Sequence, residues 1–193
     1  MKICLIRHGE TDWNAMGKWQ GREDIPLNTN GIKQAERCGA ALKQGRWGAI
    51  FTSPLCRAKK TAEVLAGALN ISRVYEEDDL TERDYGAASG LLASERSGLF
   101  PDGMYDGMED WEALRDRVCG AIVKCAERGF PDNIIIVSHG SAINSVLAEL
   151  SGHAIGTGKT NLLNTCVNVL EYKDGALTIV CHNQPAEALR FPL

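Results

Sequence analysis

Ile3-Cys4-Leu5-Ile6-Arg7-His8-Gly9-Glu10-Thr11 is the stretch from which the rest of the 193-residue chain is read. Met1 to Ile6 is a short, mostly apolar run with no room for a helix before Gly9. It predicts a strand buried on both faces. Arg7 and His8 fall where that strand hands over to a loop, at the carboxyl end where open α/β sheets bind their ligands. An adjacent cation and imidazole there can hold an oxyanion and attack it. Taken alone, the pair reads more simply as a snorkelling Arg and a hydrogen-bonded His at the edge of the core. Residues far downstream decide between the two.

Outward from this stretch, Ile134-Ile135-Ile136-Val137 is the strongest buried strand, and Ser138-His139-Gly140 repeats the arrangement of Arg7-His8-Gly9. Ala49 to Thr52 predicts another strand, turned by Ser53-Pro54 into a helix from about Leu55 to Leu69. There Ala58, Thr61, Ala62, Leu65 and Leu69 keep helical spacing, and Arg57 lies in the first turn. Asn28 or Thr29 caps a helix to about Gln44 with Ile32, Ala35, Gly39 and Leu42 inward. Arg73 to Glu76 is a weaker strand. Asp110 to about Arg128 is an amphipathic helix, acidic at its start and basic towards its end, as the macrodipole favours. Ala142 to Leu150 is helical, and Val167–Tyr172 with Leu177–Cys181 form a hairpin through Lys173-Asp174-Gly175.

The polar segment from Asp12 to Pro26, with Trp13, Trp19 and Gly21, predicts an ordered loop long enough to be functional. Residues 78–107 are irregular, and 89–108 read as a loop or small helical flap over a site. Strands alternating with helices predict a three-layer α/β/α sandwich with a mostly parallel sheet and an antiparallel edge. No repeat or linker divides the chain, so 1–193 is expected to be one domain.

Composition narrows the function. Hydrophobic residues make up 44% and charged residues 24% of the chain, which is ordinary for a globular protein. A net charge of -4 argues against a nucleic-acid partner, whose affinity needs a basic face. The seven scattered cysteines lack a C-x-x-C pair and read as reduced residues of a cytoplasmic protein. No apolar run reaches membrane length and no signal-peptide pattern opens the chain, so neither a membrane nor secretion is expected.

His8 and His139 each end a buried strand and precede a Gly. With Arg7 and Arg57 converging on the same rim, they describe a phosphate or sulfate pocket. The motifs then run in the order of a known family. They are Arg7-His8-Gly9-Glu10-Thr11 with Asn14, Gln20-Gly21, Pro26-Leu27-Asn28-Thr29 with Gly31, and Thr52-Ser53-Pro54-Leu55 with Arg57-Ala58. Leu80-Thr81-Glu82-Arg83-Asp84-Tyr85-Gly86 with Gly90, and Val137-Ser138-His139-Gly140, complete the set. The chain resembles the histidine phosphatase superfamily, which includes the phosphoglycerate mutases, and within it the small bacterial phosphatases.

That resemblance implies a phosphoglycerate mutase-like fold and a transient phosphohistidine on His8. Arg7, Arg57, His139 and the backbone N–H of Gly140 would face the transferring phosphoryl oxygens, and Glu82 would protonate the leaving oxygen and then activate water. Asn14, Gln20, Gly21, Arg83 and Tyr85 are the further expected phosphate or substrate contacts. A neutral imidazole suits the nucleophile's task, and flanking guanidiniums disfavour its protonation. No metal or cofactor is expected, except 2,3-bisphosphoglycerate if the protein is a mutase.

A mutase carries a Lys shortly after the Gly matching Gly90, where Leu91-Leu92-Ala93 stand here. It also carries a longer basic insertion, and an Asn where Ser141 follows the second His-Gly. Hydrolysis of a small phosphorylated metabolite is therefore the expected activity. Mutase-type transfer and a non-catalytic phospho-ligand domain are the alternatives. Gly156-Thr157-Gly158-Lys159-Thr160 resembles the end of a P-loop, but His153 stands where that motif needs its first Gly and a helix precedes it. His153 and His182 lack partners for a metal site and read as structural, and the oligomeric state is left open by the sequence.

Overall fold

The computed structural model describes residues 1–103 and 105–193. Six strands form one sheet: β1 (Lys2–Arg7), β2 (Trp47–Thr52), β3 (Val74–Glu76), β4 (Asn133–Ser138), β5 (Val167–Lys173) and β6 (Ala176–Gln184). Their spatial order is β3-β2-β4-β1-β5-β6. β3, β2, β4 and β1 run parallel, while β5 pairs antiparallel with β1, and β6 with β5. The helices are α1 (Asp12–Met16), α2 (Thr29–Leu42), α3 (Cys56–Leu69), α4 (Ala93–Leu99), α5 (Trp111–Ala126) and α6 (Gly140–Leu150).

Alternation along the central strands supplies both layers. Ile3, Leu5, Ile134 and Ile136 face α5 and α6, where Leu114, Val118, Ile122, Ile143 and Val146 meet them. Cys4, Ile6, Ile135 and Val137 face the other way, onto Cys38 and Leu42 of α2 and Ala58, Ala62 and Leu65 of α3. The central strands therefore read as unbroken apolar runs, since both faces are covered. Each fully buried Ile or Leu contributes roughly 1.5–3 kcal/mol of transfer free energy.

Register carries the functional consequence. β1 and β4 pair in parallel with Ile3 opposite Ile134 and Arg7 opposite Ser138. The next residues along each strand, His8 and His139, therefore leave the sheet side by side. β2 pairs with β4 with Thr52 opposite Val137, which brings Ser53 and the start of α3 to the same edge.

Three segments differ from the expectations. Asp12–Met16 is helical rather than loop, because Thr11 and Asn14 cap each other: Asn14 N–H donates to Thr11 Oγ1 at 3.1 Å and Thr11 N–H to Asn14 Oδ1 at 3.2 Å. Ile32 is only half-buried, and Gly31 and Cys38 take inward positions on α2 instead. α6 starts at Gly140, with His139 as its N-cap. In the irregular segment 78–107, 3-10 turns at Asp78–Leu80 and Gly86–Ala88 precede the expected flap, α4 lies within it, and Met104 lies outside the described residues. All seven cysteines are free thiols. No helix among the described residues is long and apolar enough to cross a membrane.

Candidate active site

The carboxyl ends of β1, β2 and β4 open into a cavity of about 270 Å³. On its wall stand Arg7, His8, Asn14, Gln20, Arg57, Glu82, Tyr85 and Gly140, residues drawn from almost every part of the chain.

His8 is 2% exposed, and its Nδ1 lies 2.7 Å from the carbonyl oxygen of Gly9. A carbonyl only accepts, so Nδ1 carries the proton and the lone pair is on Nε2. Burial, then Arg57 and Arg7, hold the His8 pKa well below its ordinary value. The loop bearing it is wedged against α2. A Cβ on Gly9 would sit 2.4 Å from the Gly31 carbonyl oxygen, and one on Gly31 would sit 2.1 Å from that of Glu10. Only glycine at both positions allows so close an approach of two backbones. Thr61 of α3 accepts from Gly9 N–H at 3.0 Å, and Asn164 donates to the His8 carbonyl at 3.0 Å.

Arg57 is fully buried, donating from Nη1 to the Glu23 carbonyl at 2.6 Å and from Nη2 to the Gly21 carbonyl at 2.7 Å. Arg7 donates from Nη1 to the Leu162 carbonyl. His139 is fully buried behind His8, with ring centroids 5.2 Å apart, and its Nε2 lies 2.8 Å from Ser53 Oγ. Burial, then Arg57 and His8, hold its pKa well below the ordinary value as well.

Four buried polar atoms have no hydrogen-bond partner among the described residues: Asn144 Oδ1, an acceptor on the cavity wall, and three around His8, namely Arg7 Nε, Arg57 Nε and His139 Nδ1. A buried polar group left unmatched costs about 1–3 kcal/mol. Concentrating three of them around one imidazole, with two guanidiniums, makes a site that an oxyanion completes.

Glu82 faces this group from the other side. Its carboxylate accepts from Arg83 N–H at 2.9 Å, from Ser141 N–H at 3.1 Å and from Ala142 N–H at 3.0 Å, the last two being in the first turn of α6. Asn14 Oδ1 is engaged by Thr11 N–H and by Asn164 Nδ2, at 3.3 Å, so its amide N–H₂ is the group left to donate. Gln20 is buried beside it, accepting from Thr11 Oγ1 at 3.0 Å.

Three expected contacts lie off the cavity wall, the first being His139, which is fully buried against the His8 ring. Gly21 serves as a carbonyl anchor for Arg57. Arg83 turns away, donating to the Glu109 carbonyl at 2.8 Å with its guanidinium 3.7 Å from the centre of the Trp111 ring. Tyr85 is on the wall, hydrogen-bonded to Ser141 Oγ and stacked 4.3 Å from Trp19. Burial pushes its hydroxyl pKa up.

Sequence reasoning missed Asn144, Thr160, Asn161 and Leu162, which close one side of the cavity. Their segment lacks periodicity and a recognisable motif, and it reaches the site only by wrapping from α6 to β5. The outer rim is aromatic: Trp19 stacks on Tyr85, meets Tyr105 edge-on at 5.9 Å and lies 3.6 Å from the Arg96 guanidinium of α4.

Comparison with known proteins points to one family. The family model of the histidine phosphatase superfamily (branch 1) matches residues 3–185. The chain is 42% identical over 182 residues to the uncharacterized phosphatase PhoE of Bacillus subtilis, covering 94% of this chain and 93% of that one. It is 34% identical over 186 residues to a metal-independent phosphoserine phosphatase of Arabidopsis thaliana, covering 90% of this chain and 77% of that one. The structure of Entamoeba histolytica phosphoserine phosphatase in complex with 3-phosphoglyceric acid superposes with a TM-score of 0.82 at 28% identity, over 97% of this chain and 99% of that one. A family match over nearly the whole length, on a chain whose strand ends gather these side chains, leads to one conclusion: this protein is a member of the histidine phosphatase superfamily.

Proposed function

We propose that the protein hydrolyses small phosphate monoesters through a phosphohistidine on His8, without a metal ion. The observation that carries this reading is the cluster of unmatched buried polar atoms around a histidine whose Nε2 lone pair is free.

In the first half-reaction His8 Nε2 attacks phosphorus, and the bond from phosphorus to the ester oxygen breaks. The departing oxygen takes a proton from the Glu82 carboxyl. The Nδ1–H bond to Gly9 holds the ring as it gains positive charge. Arg7 and Arg57 stabilise the phosphoryl oxygens, so positioning and charge supply most of the acceleration. In the second half, water attacks the same phosphorus, its proton passes to the Glu82 carboxylate, and the N–P bond breaks. His8 and protonated Glu82 are regenerated, and one ester and one water have become an alcohol and phosphate.

Hydrolysis is favoured over mutase transfer because Leu91-Leu92-Ala93 offers no cation where a mutase grips a carboxylate. Phosphorylated small acids, which the phosphoserine phosphatase relatives suggest, are the first substrates to try. The test is turnover of p-nitrophenyl phosphate in the presence of a chelator, with phosphoenzyme trapped by acid-labile labelling. Activity that vanishes with chelator, or label that survives in His8→Ala, would overturn the mechanism.

A further inference from the structure

The loop that carries Glu82 is braced at three of its carbonyls by one side chain, and Ser138 Oγ donates to a fourth, that of Leu80, at 2.7 Å. Arg117 of α5 is 17% exposed and spends all five of its N–H donors. Nη1 donates to the carbonyls of Asp79 at 2.8 Å and Thr81 at 2.7 Å, and Nη2 to that of Glu82 at 3.0 Å. The remaining two bind the Glu109 carboxylate side-on, Nε to Oε1 at 2.6 Å and Nη2 to Oε2 at 2.9 Å. Glu109 in turn receives Asp84 N–H at 3.2 Å, so the backbone on both sides of Glu82 is tied to one fork.

We propose that Arg117 is the positioning residue of Glu82: three bonds from its guanidinium hold the 79–82 backbone where the Glu82 carboxyl meets the departing oxygen, and the other two clamp the fork on Glu109. The inference rests on the role given to Glu82 above. Arg117 touches none of the groups that hold phosphate. Arg7 and His8 are set by β1, and Arg57 by α3 and its two carbonyls. Releasing the fork therefore loosens the proton donor and leaves the nucleophile and its guanidiniums in place. A lysine cannot replace it, having three donors and no planar fork.

Leaving-group chemistry separates this role from a general loss of structure. A p-nitrophenolate departs without a proton, whereas an alkoxide needs one. Phosphoenzyme formation is followed by rapid quench for p-nitrophenyl phosphate and for an alkyl phosphate, in wild type, Arg117→Lys and Glu82→Gln. In Arg117→Lys we expect the p-nitrophenyl ester to stay within about threefold of wild type and the alkyl ester to fall at least about tenfold. Glu82→Gln should show the same split, enlarged to roughly 10²–10⁴.

A split in Glu82→Gln with equal losses on both esters in Arg117→Lys, or with no loss on either, overturns the positioning role alone. No split in Glu82→Gln overturns the assignment of Glu82 itself. If Arg117→Lys yields no folded protein, Glu109→Gln is measured in its place. It keeps the three carbonyl bonds but weakens their clamp, and a smaller split of the same sign is expected. Equal losses on both esters in that variant count against the proposal.

Discussion

The inner and outer ends of the cavity are built on different physics. At the inner end the polar groups are pinned by directional bonds: Arg57 to two carbonyls, Arg7 to Leu162, His8 Nδ1 to Gly9. At the outer end Trp19 lies between Tyr85 and the Arg96 guanidinium, with Tyr105 edge-on. Stacked faces hold through area and quadrupole and tolerate small shifts. Hydrogen bonds at under 3 Å do not. Under the proposed phosphatase reading, the difference assigns rate to the inner end and choice of alcohol to the outer one.

The sharpest way to break that division is His8→Ala, which should reduce turnover to background and abolish acid-labile labelling. Retained activity would place the chemistry elsewhere. Arg57→Ala should cost roughly 10²–10³ in kcat, as for a preorganised oxyanion donor. A loss under threefold would remove Arg57 from the phosphate site.

Stability against pH probes the same end by another route. His8 and His139 are both held well below the ordinary 6.5 in the folded state, so the unfolded chain binds their protons first. Their contribution is fully present above about pH 6.5 and is lost as pH falls below it, by up to about 1.4 kcal/mol per unit for each histidine. Urea unfolding from pH 7.5 to 5 should show this slope, and His8→Gln should remove one histidine's share. A slope unchanged in that variant would contradict the burial argument.

The outer end should respond far less. Arg96→Ala loses one cation–π contact worth about 0.5–1 kcal/mol, hence roughly a two- to fivefold rise in KM with kcat unchanged. A fall in kcat of tenfold would show that α4 reaches the chemistry after all.

Much of this molecule could be read without coordinates. The apolar runs Ile3–Ile6 and Ile134–Val137 can only be buried strands, and each delivers a histidine to a strand end. Helix caps at Asn28 and Asp110 are local signals, and both are used as caps. Trp19 and Tyr105 read equally as entrance or core residues from the sequence; their ring contacts, and the bonds of Arg117, were not legible, because a stacking partner or a chain of carbonyl acceptors has no sequence spacing. Arg83 shows the converse, a residue in a strong motif whose side chain packs on Trp111 instead of facing the cavity.

The amino-acid order by itself determined the central strands and the longer helices and placed His8 and His139 at strand ends, because burial periodicity and turn chemistry act over a few residues. Only the tertiary structure decided which carbonyls anchor Arg57, that Asn164 steadies His8 across 156 positions of chain, and that one guanidinium braces the Glu82 loop. Those bonds exist because the parallel register sets the strand ends level and the helices pack across them. Hydrogen-bond partners are chosen by position in space, which sequence separation does not encode.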